Sequence, residues 1–191
     1  MDNATFLSLS ATDAVQGLLE EAYVGNTQAL DVLQNWTDGV IDPAASTYTL
    51  STNSFNTGSV IGQYIGSMSF PYVKRNLNNL MPYPLVYPMA YPTTFVLLQT
   101  YFQEQFDIVL EDGEFAVAGN TPSGALSGTD AINAAPDLST GFVTLVAQAT
   151  SGRFTEGSTF NVLPNGKGVQ VPLSILLALT SPPNLDILTD H

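Results

Sequence analysis

Cysteine is absent from the 191-residue sequence, and histidine occurs once, at His191. Without cysteine there can be no disulfide and no thiolate metal site. A Ser–His–Asp triad needs a histidine held in a fixed place, and chain ends are usually poorly ordered. We therefore expect no triad chemistry, no histidine-based zinc or iron site, and no bound cofactor.

Basic residues are scarce. Four of them, Lys74, Arg75, Arg153 and Lys167, stand against seventeen acidic residues, which gives a formal net charge of −13. Nucleic-acid binding depends on lysine and arginine contacts with phosphate, so we expect no nucleic-acid partner. The same repulsion argues against an anionic membrane surface. A cationic partner, or bound divalent cations, would suit this charge.

Long apolar runs are also lacking. The longest aliphatic stretch, residues 171–179, contains a proline and is shorter than the ~20 residues that span a bilayer. Residues 1–3 lack the positive charge that begins a signal peptide. We therefore expect a soluble protein or a part of a soluble assembly.

The residues that are abundant indicate a folded core. Hydrophobic residues make up 45% of the chain, including ten phenylalanines and eight tyrosines, which bury large areas. The length suits one domain or two small ones.

The N-terminal part has helical and then strand-like patterns. Ser10 and Asp13 resemble a capping box that starts a helix, Gly25 favours its end, and a second helix is predicted from Asn26 or Thr27. Residues 1–42 are therefore predicted to form a helical hairpin. Strands follow at residues 47–52, with Tyr48 and Leu50 on one side, and at residues 60–70.

A buried helix is predicted over residues 94–106, capped by the hydroxyl of Thr93 or Thr94. Its apolar positions recur at three- and four-residue steps and would share one face: Phe95, Leu98, Phe102 and Phe106. Residues 107–110 are predicted to continue as a strand, and residues 111–114 to form a turn.

Between these parts lies a segment, residues 81–92, in which Tyr-Pro recurs every four residues. Proline favours extended backbone and is excluded from helices and central strands. The segment is interpreted either as a stiff linker or as an interface strip in which Tyr83, Tyr87 and Tyr91 contact a neighbouring subunit or the other half of the chain.

The C-terminal part is predicted to be rich in strands. Residues 142–148 give the clearest strand, residues 153–155 and 158–163 are predicted to form a hairpin, and residues 165–168 a tight turn. The expected fold class is α+β. The expected division is 1–80, a linker at 81–92, and 93–191, with one continuous domain left open.

Acidic residues give the only candidates for catalysis or metal binding. Two carboxylates suffice for glycoside hydrolysis, and calcium prefers several oxygen ligands. The candidates are Glu20, Glu21, Asp107, Glu111, Asp112 and Glu114. Their spacing does not match the twelve-residue calcium loop, and residues 111–114 are interpreted as a solvated turn.

One stretch resembles a known class of proteins. A helix started by Pro92, Thr93 and Thr94 leads into residues 107–112, and residues 72–77 end the β segment before it. This arrangement, over residues 47–116, resembles modules in virion proteins of large tailed bacteriophages. The resemblance implies a structural part of a tail, collar or head without catalytic residues.

We therefore expect a non-enzymatic structural or interaction protein of a multi-subunit assembly, most simply a bacteriophage virion. Its partners would be other subunits, in a homo- or hetero-oligomer. The alternative is a stand-alone carbohydrate- or protein-binding module, and the third reading is a glycoside hydrolase that uses carboxylates alone.

Overall fold

The computed structural model describes residues 1–35, 39–51, 66–87, 92–134, 136–137 and 141–164. Its helices are α1 (Asn3–Ser8), α2 (Ala11–Ala22), α3 (Thr27–Asn35), α4 (Leu77–Leu80) and α5 (Phe95–Phe106). Its strands are β1 (Val40–Asp42), β2 (Thr47–Ser51), β3 (Ser67–Pro71), β4 (Leu85–Tyr87), β5 (Thr93–Thr94), β6 (Phe115–Val117), β7 (Ala131–Ile132), β8 (Val143–Ala147) and β9 (Thr159–Pro164). The predicted α+β class is confirmed.

The N-terminal helices begin where side chains can cap them. The hydroxyl of Ser10 accepts a hydrogen bond from the backbone N–H of Asp13, at 3.2 Å, and starts α2 as predicted. Asn26 likewise accepts from the N–H of Ala29 at the start of α3. A shorter helix, α1, was not predicted, and it is capped by the carboxylate of Asp2.

A small antiparallel sheet, in the order β1-β2-β3, packs beside α2 and α3. The alternation predicted for β2 is confirmed, because Tyr48 and Leu50 are buried on one side. They share a cluster of buried apolar side chains with Val15 and Leu19 of α2 and Leu33 of α3.

A second sheet has the order β4-β9-β8-β6, with β4 parallel to β9 and the other pairs antiparallel. Strand β4 comes from the Tyr-Pro segment and lies at the edge of the sheet. Proline lacks the N–H that a central strand donates, so an edge is where such a segment can pair. β5 and β7 form a separate two-residue pair before α5.

The larger cluster of buried apolar side chains lies between α5, the four-stranded sheet and α1. Phe95, Leu98 and Phe102 of α5 are buried in it, as predicted, but Phe106 is exposed. Members of the cluster come from both sides of segment 81–92, from Phe6 to Val162. The division of the chain at that segment stays a prediction.

The prediction that a threonine hydroxyl caps α5 is wrong. Thr94 occupies the N-cap position, but its hydroxyl makes no capping bond. The first N–H groups of the helix, from Phe95 and Val96, instead donate to the carbonyls of Asp130 and Gly128. A neighbouring loop therefore satisfies groups that a capping side chain would otherwise satisfy.

Two strand predictions are also wrong. Residues 107–110 form no strand. Their backbone groups make separate hydrogen bonds to the carbonyl of Leu7 and to the side chains of Gln99 and Arg153, and none to a neighbouring described strand. Residues 153–155 form no hairpin with β9; they make one isolated bridge to Arg75, and β9 pairs with β8. The predicted strand at 60–65 and the turn at 165–168 lie outside the described residues.

Candidate functional site

The three tyrosines of the Tyr-Pro segment have different surroundings. Tyr83 is 55% exposed, whereas Tyr87 is 1% exposed and its hydroxyl bonds to that of Thr93 at 2.8 Å. The ring of Tyr87 packs edge-on against Tyr101 of α5, with 5.3 Å between centroids. Tyr91 lies outside the described residues. Tyr87 therefore contacts the second half of its own chain, and contact with a neighbouring subunit stays a prediction for the segment.

Helix α5 presents apolar side chains on its solvent side. Val96, Leu97 and Phe106 are each between 38% and 45% exposed. Thr100 and Glu104 are also exposed and lie on the same side as Val96 and Leu97, since residues three, four and seven apart share a helix face. We call Val96, Leu97, Thr100 and Glu104 the outer surface of α5. Phe106 lies at the end of the helix on the side of Phe102, and its ring packs against Tyr101 and Phe102.

Most exposed charged side chains of the described residues are acidic. The lysine and arginine side chains are shielded from solvent, since Lys74 and Arg75 are half-buried and Arg153 is buried. By contrast, ten carboxylate side chains are exposed: Asp2, Asp13, Glu21, Asp42, Glu104, Asp107, Asp112, Asp130, Asp137 and Glu156. The exposed surface is thus anionic to a degree that composition alone does not convey.

The turn at residues 111–114 is confirmed, with Gly113 at a φ of 81°, but its interpretation as fully solvated is wrong. Glu114 is only 3% exposed and forms a salt bridge of 2.9 Å with Arg153, which is fully buried. The Nε of Arg153 also donates to both carboxylate oxygens, and the Ser151 hydroxyl donates at 3.0 Å. A buried charge is tolerated only when it is paired and hydrogen-bonded, as here.

The remaining donors of Arg153 join distant parts of the chain. One terminal nitrogen donates to the carbonyl of Leu9, and the other donates to the carbonyl of Val109. The ring of Phe154 stacks on the guanidinium carbon at 4.7 Å from its centroid. We call Arg153 and Glu114 with these partners the buried ionic centre. Its geometry fastens the N-terminal helices to the main sheet.

Glu111 lies beside this centre and is half-buried. Its carboxylate accepts a hydrogen bond of 3.1 Å from the N–H of Ala11 at the start of α2. Burial raises the pKa of Glu111 above its usual value, and the nearby Glu114 carboxylate adds to the rise, while the Ala11 N–H and Arg153 oppose it. A half-buried carboxyl of raised pKa beside a second carboxyl is an arrangement found at acid–base sites.

The other candidate carboxylates contact different parts of the chain and do not form a common site. Glu20 accepts from Gln16 on the surface of α2, and Asp112 accepts from Gln99 and from the N–H of Gly128. Only Glu111 and Glu114 are brought together, and the oxygens of Glu114 are occupied by Arg153 and Ser151. The carboxylate of Glu114 is therefore engaged by groups of its own chain.

Within the described ranges, no group of three or more histidine or acidic side chains could hold a metal ion. The part of the chain that the structure describes also contains no helix both long and apolar enough to cross a membrane. An open groove of about 300 Å³ lies between the α2–α3 turn and β3. Its lining includes the ring of Tyr23, the amides of Asn26 and Gln28, and Met68.

Comparison of the chain with protein-family models, with curated proteins and with solved structures gives no match. The function is therefore inferred from the residues and geometry of this chain.

Two features of the surface and core were missed by sequence reasoning. The partnership of Glu114 with Arg153 links residues 39 positions apart, which no local pattern connects. Val96 and Leu97 fall off the predicted apolar face of α5, and this position is the signal that marks them as exposed.

Proposed function

We propose that this protein is a non-enzymatic structural or interaction component of a multi-subunit assembly. The observation that carries the proposal is the outer surface of α5, where Val96 and Leu97 leave apolar groups in contact with water. Apolar groups gathered on one side of a helix are typical of surfaces that another protein covers. Glu104 and Thr100 give this surface the polar surroundings that such interfaces have.

The assembly that we propose is a bacteriophage virion, with the protein as an accessory part of its tail, collar or head. The resemblance of residues 47–116 to virion proteins supports this choice. The occupied carboxylates of the buried ionic centre agree with a role in contact rather than in hydrolysis. The partners are other subunits, in a homo- or hetero-oligomer.

The decisive experiment compares the isolated chain with the native particle. Light scattering after size exclusion gives the mass of the isolated chain, and quantitative mass spectrometry of purified particles gives its copy number. We expect a fixed copy number that is lowered in particles made with Leu97→Ser and unchanged with Val73→Ser, since Val73 is exposed but lies outside α5. A chain that is monomeric and missing from particles overturns the proposal.

A binding module is the second candidate, and the groove beside β3 favours it. Tyr23 offers an aromatic ring, and Asn26 and Gln28 offer amides, which together suit the apolar faces and hydroxyls of a sugar. Nuclear magnetic resonance titration with a panel of oligosaccharides tests it. Shifts confined to the groove residues support the module, and unchanged spectra throughout the panel dismiss it.

A further inference from the structure

Strand β3 is the last strand of the small sheet in the part of the chain that the structure describes. The N–H of Tyr72 donates to the carbonyl of Ser46 at 3.1 Å, in the register that β2 and β3 share. Hydrogen-bonded pairs alternate along an antiparallel ladder, so the even-numbered residues of β3 bond to β2. Ser67 and Ser69 therefore direct their backbone N–H and C=O groups to the opposite edge, where no described strand pairs with them. We call this side of residues 67–69 the open edge of β3.

The open edge of β3 lacks the features that usually keep an edge strand from pairing. Natural edge strands carry charged side chains, prolines or bulges for this purpose. The sequence of β3, Ser-Met-Ser-Phe-Pro, has no charged residue, in a chain with seventeen acidic ones. Its proline, Pro71, lies beyond both outward-facing N–H groups. At the other edge of the sheet, β1 ends with the exposed Asp42. The open edge of β3 can therefore accept another strand.

Met68 marks the place where such a strand would be covered. It lies opposite Leu50 and on the same side as Phe70, both of which are buried, yet Met68 is 47% exposed. It borders the groove of about 300 Å³ beside the α2–α3 turn, where the ring of Tyr23 packs edge-on against Phe70 at 5.5 Å. None of the described residues that line the groove is charged. The apolar face of the sheet thus continues past β3 into a groove that suits an uncharged side chain.

We propose that β3 pairs antiparallel with β3 of a second copy of the chain, about a two-fold axis at Met68. In this register Ser67 of each copy lies opposite Ser69 of the other, and the two serines exchange N–H···O=C bonds. The two Met68 side chains lie side by side at the axis, each beside the groove of the other copy, where a thioether packs well against an aromatic ring. The inference rests on the proposed role in an assembly and names the neighbour.

The chemistry of the open edge selects a second copy of the chain. A two-fold contact needs a surface that is complementary to itself, and an uncharged strand sets no carboxylate against its equivalent, despite the net charge of −13. An axis at Met68 uses every outward N–H of β3, whereas an axis at Ser69 would place Ser67 opposite Pro71, which has no N–H. Nucleic acids and anionic lipids would find no lysine or arginine in β3 or among the described groove residues.

Cross-linking through a single thiol tests the register. The sequence contains no cysteine, so Met68→Cys introduces one thiol per chain. Opposed residues of a pair that is not hydrogen-bonded have Cα atoms about 4.5 Å apart, within the range that a disulfide bridges. We expect Met68→Cys to form a disulfide-linked dimer in oxidised glutathione at least about tenfold faster than Val73→Cys, because associated thiols react at a high effective concentration. Val73 is the matched control, since it is 84% exposed and lies outside β3.

The chain without added thiols is measured by light scattering over a range of concentrations. We expect a dimer that dissociates on dilution, because one strand pair buries less than a standard interface. Ser69→Pro removes an outward N–H and no bond to β2, so it should raise the dissociation constant at least about tenfold. Met68→Lys sets two like charges together at the axis and should do the same, whereas Val73→Lys, with the same change in net charge, should alter the constant less than about twofold. Circular dichroism checks folding, and Met68→Lys decides the matter if Ser69→Pro unfolds.

A chain that is monomeric at every concentration, and that cross-links no faster at residue 68 than at residue 73, would overturn the inference and leave the groove to the sugar-binding alternative. A dimer that survives both Ser69→Pro and Met68→Lys would also overturn it, because the contact would then lie elsewhere. The proposed function is tested separately by the copy number in particles, which does not depend on pairing through β3.

Discussion

Replacing Glu114 with glutamine would leave a fully buried arginine without its counter-charge. The side chains of Arg153 and Glu114 are 0% and 4% exposed, so water cannot take the place of the lost carboxylate. Removal of one partner from a buried pair destabilises proteins by about 3–5 kcal/mol. Glutamine keeps one oxygen that can accept from Arg153, so we expect about 3 kcal/mol, a large share of the 5–15 kcal/mol that holds a typical domain folded.

The assay is urea unfolding followed by far-ultraviolet circular dichroism at neutral pH, with the free energy taken from the midpoint and slope. Glu156→Gln is the control, since Glu156 is exposed, and it should stay within about 0.5 kcal/mol of the parent chain.

Arg153→Met tests the other side of the pair. It leaves a buried carboxylate without its cation and deprives the carbonyls of Leu9 and Val109 of a donor, each worth about 1–3 kcal/mol. We therefore expect a larger loss than for Glu114→Gln. The double variant contains neither buried charge, so its loss should be smaller than the sum by about 0.5–3 kcal/mol. Strictly additive losses, or a Glu114→Gln chain as stable as the parent, would refute the buried ionic centre as a coupled unit.

Three further predictions concern single side chains. Because burial raises the pKa of Glu111, its ionisation at neutral pH destabilises the folded state, so Glu111→Gln should raise the melting temperature at pH 7. That gain should vanish below about pH 4, where the carboxyl is protonated in both states, and an equal gain at every pH would contradict it. Burial raises the pKa of Tyr72 to about 12, so stability should fall as pH rises from about 10 to about 12, and Tyr72→Phe should lose less over that interval; an ultraviolet titration without a phenol ionising near pH 12 would count against this. Tyr87→Ser should lower the denaturant midpoint strongly, since the side chain is 1% exposed, whereas Tyr83→Ser, at 55% exposed, should leave it nearly unchanged; equal effects would mean that the burial of Tyr87 contributes nothing.

Local features of the fold were predictable where one side chain or one period decides them. Ser10 starts α2 because its hydroxyl is one short bond from the N–H of Asp13. The burial of Tyr48 and Leu50 follows from the two-residue period of a strand. Such signals act within a few residues, so they do not depend on contacts with distant parts of the chain.

Features that depend on distant partners were not predictable in the same way. Residues 107–110 have the composition of a strand, yet their partners are Leu7 and Arg153, from opposite ends of the described chain. No residue near the acidic turn in sequence could neutralise Glu114, so its burial beside Arg153 was not predictable. The candidate surface on α5 was likewise visible only once the burial of Phe95, Leu98 and Phe102 fixed which side faces water.

The buried ionic centre also sets an order of events during synthesis. The carbonyl of Leu9 and the guanidinium of Arg153 are 144 residues apart in the chain. At about 5–20 residues per second, a ribosome takes roughly 7–30 s to cover that interval. Arg75, made earlier, contacts the ring of Phe6 and the carbonyl of Met1, but until residue 153 is made the carbonyl of Leu9 lacks its arginine donor. The link from the N-terminal helices to the buried ionic centre thus forms late in synthesis, and a nascent chain stalled before residue 153 would lack it.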